Sequence, residues 1–296
     1  MTPELTYLAP AKVNLALHVT GRRDDGYHLL DSLVVFTTFG DSIHVATSDT
    51  DGFGISGPYA SGISDSSDNL VLRARDLLRR LSPDRPCGPV HIRLGKNLPV
   101  ASGVGGGSSD AAATLLALVR HWKLPLAAGR LAAEALALGA DLPMCLAARP
   151  LIARGIGEAL SPVPALPSLP LVLANPGVAV STPAVFRALV HRDNPPLPAL
   201  PPIGGPEAIA DWLAMTRNDL EMPARAAAPA IGDALHALRQ EGAALARMSG
   251  SGATCYGLFA DMLTAQAAAK AIAARHPDWF VVATRTRSSE ELPWPE

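Results

Sequence analysis

The stretch GVGGGSSDAAATLLAL, residues 103–118, limits more than any other what this chain can fold into. Gly105, Gly106 and Gly107 have no Cβ, so the backbone there can take positive φ and bring N–H groups close to a ligand. Ala112, Leu115, Leu116 and Val119 follow at the spacing of one apolar helical face. Ser108 or Ser109 is the expected N-cap, with Asp110 in the first turn. Such a helix turns its free N–H groups and positive dipole end toward the loop, which suits a phosphate. Glycines before a helix also serve simply as a tight connection. Neither common phosphate motif is present: Gly95-Lys96 is followed by Asn97, not Ser or Thr, and the register misses G-x-G-x-x-G. A phosphate held here rests on backbone and serine hydroxyls, and any lysine comes from elsewhere in the chain.

At 296 residues the chain exceeds one ordinary core, so two domains are expected, with 48% hydrophobic residues to fill them. The net charge of -2 and the lack of a Lys/Arg block argue against nucleic acid. Cys87, Cys145 and Cys255 stand far apart without metal-ligand spacing, which fits a reducing, cytoplasmic setting. No run approaches the roughly 20 apolar residues of a membrane span, and no export signal is read at the N-terminus.

Residues 12–20, KVNLALHVT, alternate: Val13, Leu15, Leu17 and Val19 share one face, Lys12, Asn14 and His18 the other. This predicts a strand with one wet side. A second strand is expected around Leu29 to Phe36, a third at DSIHVAT, and a helix over 70–81 capped by Asp68 or Ser67. VHIRL predicts a strand leading to Lys96 and the glycine loop. The proline-rich stretch 161–170 marks either a domain boundary or a rigid crossing between strands, and 195–206 is a second Pro/Gly-rich loop. The order of elements suits an α+β protein with helices on one face of an antiparallel sheet.

Lys12 and Asn14, two apart on a strand, project to the same side. Asp141 in GADLP follows a helix C-terminus, where the dipole disfavours a carboxylate, although Asp before Leu-Pro is also an ordinary turn residue. If the fold joins them, Asp141 can accept a hydroxyl proton while Lys12 keeps it ionised. SGSGATC at 249–255 permits close backbone approach and also reads as a turn between strands. No G-x-S-x-G surrounds any of these serines, which excludes the common serine-hydrolase elbow.

PAKVNLALHVTGRRDDGYHLLDSL, LPVASGVGGGSSDAAATLLAL, GADLPM and RMSGSGATCYGLF occur in this order, with NPGVAVSTPAVF and NDLE between the last two. Together, from Pro10 to about Phe259, they closely resemble the GHMP small-molecule kinases. The resemblance implies a two-domain fold: residues 1–165 like ribosomal protein S5 domain 2, residues 166–296 ferredoxin-like, and the active site between them. It implies ATP as co-substrate with Mg²⁺, the phosphates lying on Pro99, Gly103, Gly105, Gly106, Gly107, Ser108 and Ser109, and Asn69 and Lys96 bordering the adenine. Asp141 becomes the base and Lys12 its stabiliser, with no protein metal ligand assigned. Asn14, Tyr27, His28, Thr182, Phe186, Gly250, Ser251 and Gly252 become substrate contacts. GYH points to a substrate with a cytidine diphosphate moiety, since Tyr27 offers a flat face and His28 a donor and acceptor to a pyrimidine. The expected reaction moves the γ-phosphoryl of ATP to a 2-hydroxyl in the non-mevalonate isoprenoid route, in a monomer or weak homodimer without nucleic-acid or membrane partners. Competing readings are a relative acting on homoserine, mevalonate or a sugar, and a nucleotide-binding protein without catalysis. Ala101-Ser102 and Met144-Cys145 depart from the family's usual Gly-Ala and aromatic residues.

Overall fold

The computed structural model of the protein describes residues 4–201 and 205–289, so part of the 195–206 loop lies outside the described residues. Its first sheet contains β1 (Leu5–Arg22), β2 (His28–Thr47), β3 (Gly52–Ser56), β4 (Val90–Gly95), β5 (Leu151–Gly155) and β6 (Ala159–Pro162). The order is β3-β4-β2-β5-β6, with β1 along the other edge of β2. The expected second and third strands are one, β2, running unbroken through Gly40. A Cβ on Gly40 would stand 2.0 Å from the Ala9 carbonyl oxygen, so only glycine lets the two long strands stay paired there. The sheet is antiparallel except for β3 beside β4, which departs from the expected purely antiparallel pattern.

Helices α1 (Leu70–Leu81), α2 (Gly106–His121), α3 (Ala128–Ala135) and α4 (Leu142–Ala147) cover one face of this sheet around a core that includes Phe36, Ile43, Leu78 and Leu115. Asn69, not Asp68 or Ser67, caps α1, its Oδ1 accepting the Val71 N–H at 2.9 Å. The cap of α2 also differs from expectation. Gly105, at φ 65°, occupies that position, so the helix begins before Ser108 and Ser109 and takes both serines into its first turn.

The second sheet contains β7 (Pro170–Asn175), β8 (Leu245–Met248), β9 (Cys255–Leu258) and β10 (Phe280–Arg285) in the order β10-β7-β9-β8. Helices α5 (Thr182–Arg187), α6 (Pro206–Ala214), α7 (Glu221–Ala227), α8 (Ala230–Gln240) and α9 (Met262–Arg275) complete the chain. Val13 and Leu15 of β1, Leu33 and Val35 of β2, Leu171 and Leu173 of β7, Tyr256 of β9 and Trp212 of α6 share one core between the sheets. Each such side chain, fully buried, adds about 2 kcal/mol from removal of its apolar surface from water. The other side of β1 is covered too, by Asp141 at Lys12, Ser32 at Asn14, and Pro195 and Arg217 at His18. Lys12, Asn14 and His18, expected on a wet face, are all buried. Alternation along a single strand reports polarity, and cannot report that another layer lies over the polar face.

Candidate active site

Strand β1 positions the first part of the site. Its pairing with β2 shifts register between Pro10 and Lys12 and again between Asn14 and Ala16. Such bulges re-aim side chains, and Lys12, Asn14 and then Leu17 all reach one central cavity of about 240 Å³. Asp141 enters it from the opposite side, its Oδ2 2.8 Å from Lys12 Nζ. The lysine is nearly enclosed and the carboxylate partly open to the cavity. Burial opposes the Lys12 charge, but the attraction and hydrogen bond of Asp141, helped by Cys145, outweigh it and leave the pKa raised. Asp141 does follow a helical segment, as expected, but it also stands at the start of α4, with no side-chain cap bond. That position favours an anion and offsets the unfavourable dipole expected from the preceding turn.

The glycine loop forms a second cavity, of about 460 Å³, with Asn69, Lys96, Pro99, Gly103, Gly105, Gly106, Gly107 and Ser108 in its wall. Two lysines support the loop from beneath. A Cβ on Gly105 would lie 3.1 Å from Lys12 Cε, and one on Gly106 2.9 Å from Lys96 Nζ. Lys96 is ion-paired with Asp41 and, at 2.9 Å, with Asp110. Burial works against its charge, and the two carboxylates more than compensate, so its pKa is raised. Asp110 is pushed up as well, first by burial and then by Asp41 against the pull of Lys96. Asp41 Oδ1 in turn accepts the Asn97 and Leu98 N–H groups, which fixes the chain entering the loop. Ser109 corrects expectation: it faces away from this cavity, fully buried, and donates its hydroxyl to the Pro10 carbonyl at 2.7 Å. Ala101, where the family pattern has glycine, sits at φ 51°, a conformation that strains any residue with a Cβ.

A third cavity, of about 480 Å³, contains Tyr27, His28, Thr182, Phe186 and the guanidinium groups of Arg22 and Arg192 in its wall. Tyr27 is 62% exposed and presents a free face. His28 is stacked on Phe186 at 4.9 Å between centroids, and its Nε2 is buried without a partner. Burial first, then the charges of Arg22 and Arg192, lower the His28 pKa, so the ring is neutral at pH 7. Sequence reasoning assigned Tyr27 and His28 a shared ring; the structure shows that His28 also uses one face against Phe186.

The three cavities share walls. Gly103 and Gly105 belong to both the glycine-loop cavity and the central one, and Leu30, Ile156, Thr182 and Phe186 to both the central and the third. Gly250 and Ser251 close the central cavity, with Ser251 Oγ 2.6 Å from Thr182 Oγ1. Gly252 is outside its wall and instead packs against the glycine loop, its carbonyl oxygen 2.5 Å from where a Cβ on Gly103 would be. Of the Met144-Cys145 pair, Met144 lines the central cavity and Cys145 is buried behind it, its thiol pushed up by burial.

Residues the sequence reading missed hold this arrangement. Asn218 Nδ2 donates to the carbonyls of Met248 and Gly250, both at 2.8 Å, and Glu221 accepts the Met248 N–H at 3.1 Å. Arg247, buried, donates to the carbonyls of Leu15, Leu213 and Thr216, which ties β1 to the second sheet. The NDLE string was a visible signal for Asn218 and Glu221; nothing in the sequence singled out Asp41 or Arg247.

Residues 69–149 match the description GHMP kinases N terminal domain, and residues 200–278 match GHMP kinases C terminal. A 4-diphosphocytidyl-2-C-methyl-D-erythritol kinase of Mesorhizobium japonicum is 57% identical over 285 residues, covering 96% of this chain and 97% of the relative. One from Brucella melitensis is 58% identical, covering 95% and 94%. A crystal structure of 4-(cytidine 5'-diphospho)-2C-methyl-D-erythritol kinase superimposes with a TM-score of 0.80 at 36% identity, over 96% of this chain and all of that one. A homoserine kinase from Cytophaga hutchinsonii, at TM-score 0.69 and 18% identity, shares the fold. The chain belongs to the GHMP kinases and, within them, to the 4-diphosphocytidyl-2-C-methyl-D-erythritol kinases.

Proposed function

We propose that the protein transfers the γ-phosphoryl group of ATP to the 2-hydroxyl of 4-diphosphocytidyl-2-C-methyl-D-erythritol, giving the 2-phosphate and ADP, a step of the non-mevalonate isoprenoid route. The observation that carries this reading is the Lys12–Asp141 pair, 2.8 Å apart, in a cavity that shares walls with both the glycine-loop cavity and the Tyr27–His28 cavity. ATP occupies the glycine-loop cavity with its phosphates over the N-terminus of α2, where the helix has free N–H groups. The cytidine end occupies the third, between Tyr27, His28 and Phe186, with Thr182 and Ser251 beside it. The acceptor polyol lies in the central cavity near Asn14 and Gly250.

Asp141 takes the proton of the 2-hydroxyl as that oxygen attacks the γ-phosphorus; the bond to the ADP oxygen breaks, and ADP leaves with those electrons. Lys12 holds the Asp141 carboxylate in place and steadies the negative charge that develops. Positioning and charge stabilisation are the main requirements of phosphoryl transfer. For Mg²⁺, the described residues offer no group of three or more His, Cys, Asp or Glu side chains. The neighbouring carboxylates Asp41, Asp110 and Asp141 are each bonded to a lysine. Mg²⁺ bound to the ATP phosphates would neutralise their charge beside the glycine loop, most of its coordination being water.

Residues 1–165 and 166–296 act as the ATP-binding and C-terminal domains in this reading, supported by the change of sheet between Pro162 and Pro170. Every proposed contact comes from one chain, which supports a site complete in a monomer. Three unpaired cysteines support a cytoplasmic setting, and no described helix is long and apolar enough to cross a membrane.

The test is incubation with ATP, Mg²⁺ and, in parallel, the cytidylyl compound, free methylerythritol, mevalonate and homoserine, with ADP release and product mass as readouts. Phosphorylation of the cytidylyl compound alone is expected. Transfer to another acceptor overturns the substrate, and binding of ATP without transfer to any overturns the reaction.

A further inference from the structure

Ser32 lies on β2 in the wall of the central cavity, and its geometry determines the orientation of a neighbour. Its Oγ is 2.6 Å from the Ala16 carbonyl oxygen and 2.8 Å from Asn14 Nδ2. A hydroxyl has one proton, and a carbonyl oxygen can only accept, so that proton is committed to Ala16. Toward Asn14 the Ser32 oxygen can then only accept. This requires the amide NH₂ of Asn14 to face Ser32 and removes the choice between its two flipped forms. Asn14 Oδ1 is thereby turned away, buried and without a hydrogen-bond partner in the protein. It lies 3.5 Å from where a Cβ on Gly250 would stand, and Asn14 and Gly250 both line the cavity that also contains Lys12 and Asp141. A buried acceptor left unmet is costly and calls for a donor.

We propose that Ser32 is a positioning residue that locks Asn14 with its amide oxygen toward the central cavity, where it accepts a hydrogen bond from the acceptor hydroxyl adjacent to the one phosphorylated. The inference rests on the proposed function, in that it places the acceptor polyol in the central cavity. It narrows the substrate class to a vicinal diol. One hydroxyl gives its proton to Asp141, and its neighbour gives a hydrogen bond to Asn14. A deoxy analogue leaves Oδ1 unmet, and a keto or ether oxygen in that place sets two lone pairs against each other. A site built around a substrate hydroxyl discriminates strongly against analogues that lack it.

The test measures kcat/KM for the acceptor and for its 1-deoxy and 3-deoxy analogues, with KM for ATP alongside, in the wild type, Ser32→Ala and Ser32→Thr. In the wild type one analogue is expected to lose roughly tenfold or more against the parent acceptor. In Ser32→Ala that gap shrinks to about threefold or less, because the loss of orientation penalises only the parent, while KM for ATP is unchanged. Ser32→Thr keeps the hydroxyl and retains the gap. Ser32→Cys, close in size and a poor hydrogen-bond partner, gives the same readout if the alanine variant does not fold. A gap of equal size in the wild type and in the alanine or cysteine variant overturns the role of Ser32. Absence of a gap for both analogues in the wild type overturns instead the placement of the polyol against Asn14.

Discussion

The loop at Gly103–Gly107 and the turn at Ser249–Gly252 are alike in composition and unlike in what surrounds them. The first leads into α2, whose opening N–H groups face a cavity of about 460 Å³. The second closes the hairpin of β8 and β9, and its polar groups are already engaged: Asn218 takes the Gly250 carbonyl, and the Ser249 hydroxyl takes the Asn14 N–H at 3.1 Å. One glycine run therefore leaves helix N–H groups free to meet a ligand, and the other forms a wall. Glycine marks where backbone can come close; whether it binds anything is decided by the donors that remain free.

Five substitutions and a pH series test this contrast. Asp141→Asn, between the two turns, is expected to lower kcat by about 10²- to 10⁴-fold, the usual worth of a general base. The dissociation constant of ATP measured by calorimetry should stay the same, and retention of most of the turnover would remove Asp141 from the role of base. Gly103→Ala strikes the contact between the turns, where the added Cβ meets the Gly252 carbonyl oxygen at 2.5 Å and φ is 79°. It should destabilise the fold by about 1–3 kcal/mol in denaturant titration and raise KM for both substrates.

Asn218→Asp keeps an acceptor for the Leu220 N–H, yet loses both donors to the hairpin turn. KM for the acceptor should rise roughly tenfold, in line with lost buried hydrogen bonds, and KM for ATP should not. An equal rise in both would erase the division of labour between the turns.

His18 supplies the pH test. Its ring donates from Nδ1 to the Pro195 carbonyl at 2.9 Å and accepts the Arg217 N–H at Nε2, beside the segment that carries Asn218. Burial, aided by the Arg217 charge and opposed by the Pro195 carbonyl and Asp219, lowers its pKa below 6.5. A histidine held neutral contributes stability that is complete above its ordinary pKa and lost as pH falls below it. Tm should thus fall between about pH 7 and pH 5, with acceptor KM rising over the same window, and His18→Asn should flatten both changes. The smallest effect belongs to Ala101→Gly, which relieves a left-handed alanine at φ 51°. A gain of about 0.5 kcal/mol is expected by thermal denaturation, the steric relief being partly offset by the freer unfolded chain.

Local patterns were legible where one residue's neighbours decide its conformation. The shared direction of Lys12 and Asn14, the helix after the glycines and the 249–255 turn all follow from spacing alone. The burial of that polar face did not, because it depends on Asp141 beside Lys12, Ser32 beside Asn14, and Pro195 and Arg217 beside His18, none of which is a near neighbour in sequence. The same limit concealed Asp41 and Asp110 as partners of Lys96, and Ser32 as a partner of Asn14. Each is an ordinary polar residue until topology brings its partner alongside. Serine caps were expected at α2 because serine is a good cap; Gly105 takes the position because the chain must turn left-handed there, against the Lys12 side chain.

The shared walls of the three cavities also set a rule for inhibitors. In the proposed arrangement, a single molecule with a purine phosphate at one end and a pyrimidine at the other presents its second end to an already half-filled site. A short flexible link gives an effective concentration on the order of millimolar, so that two weak halves can combine into an affinity roughly 10²- to 10⁴-fold above either. The central cavity, of about 240 Å³, fixes the length of that link, and a link too short to pass Lys12 and Asp141 leaves one half in solvent.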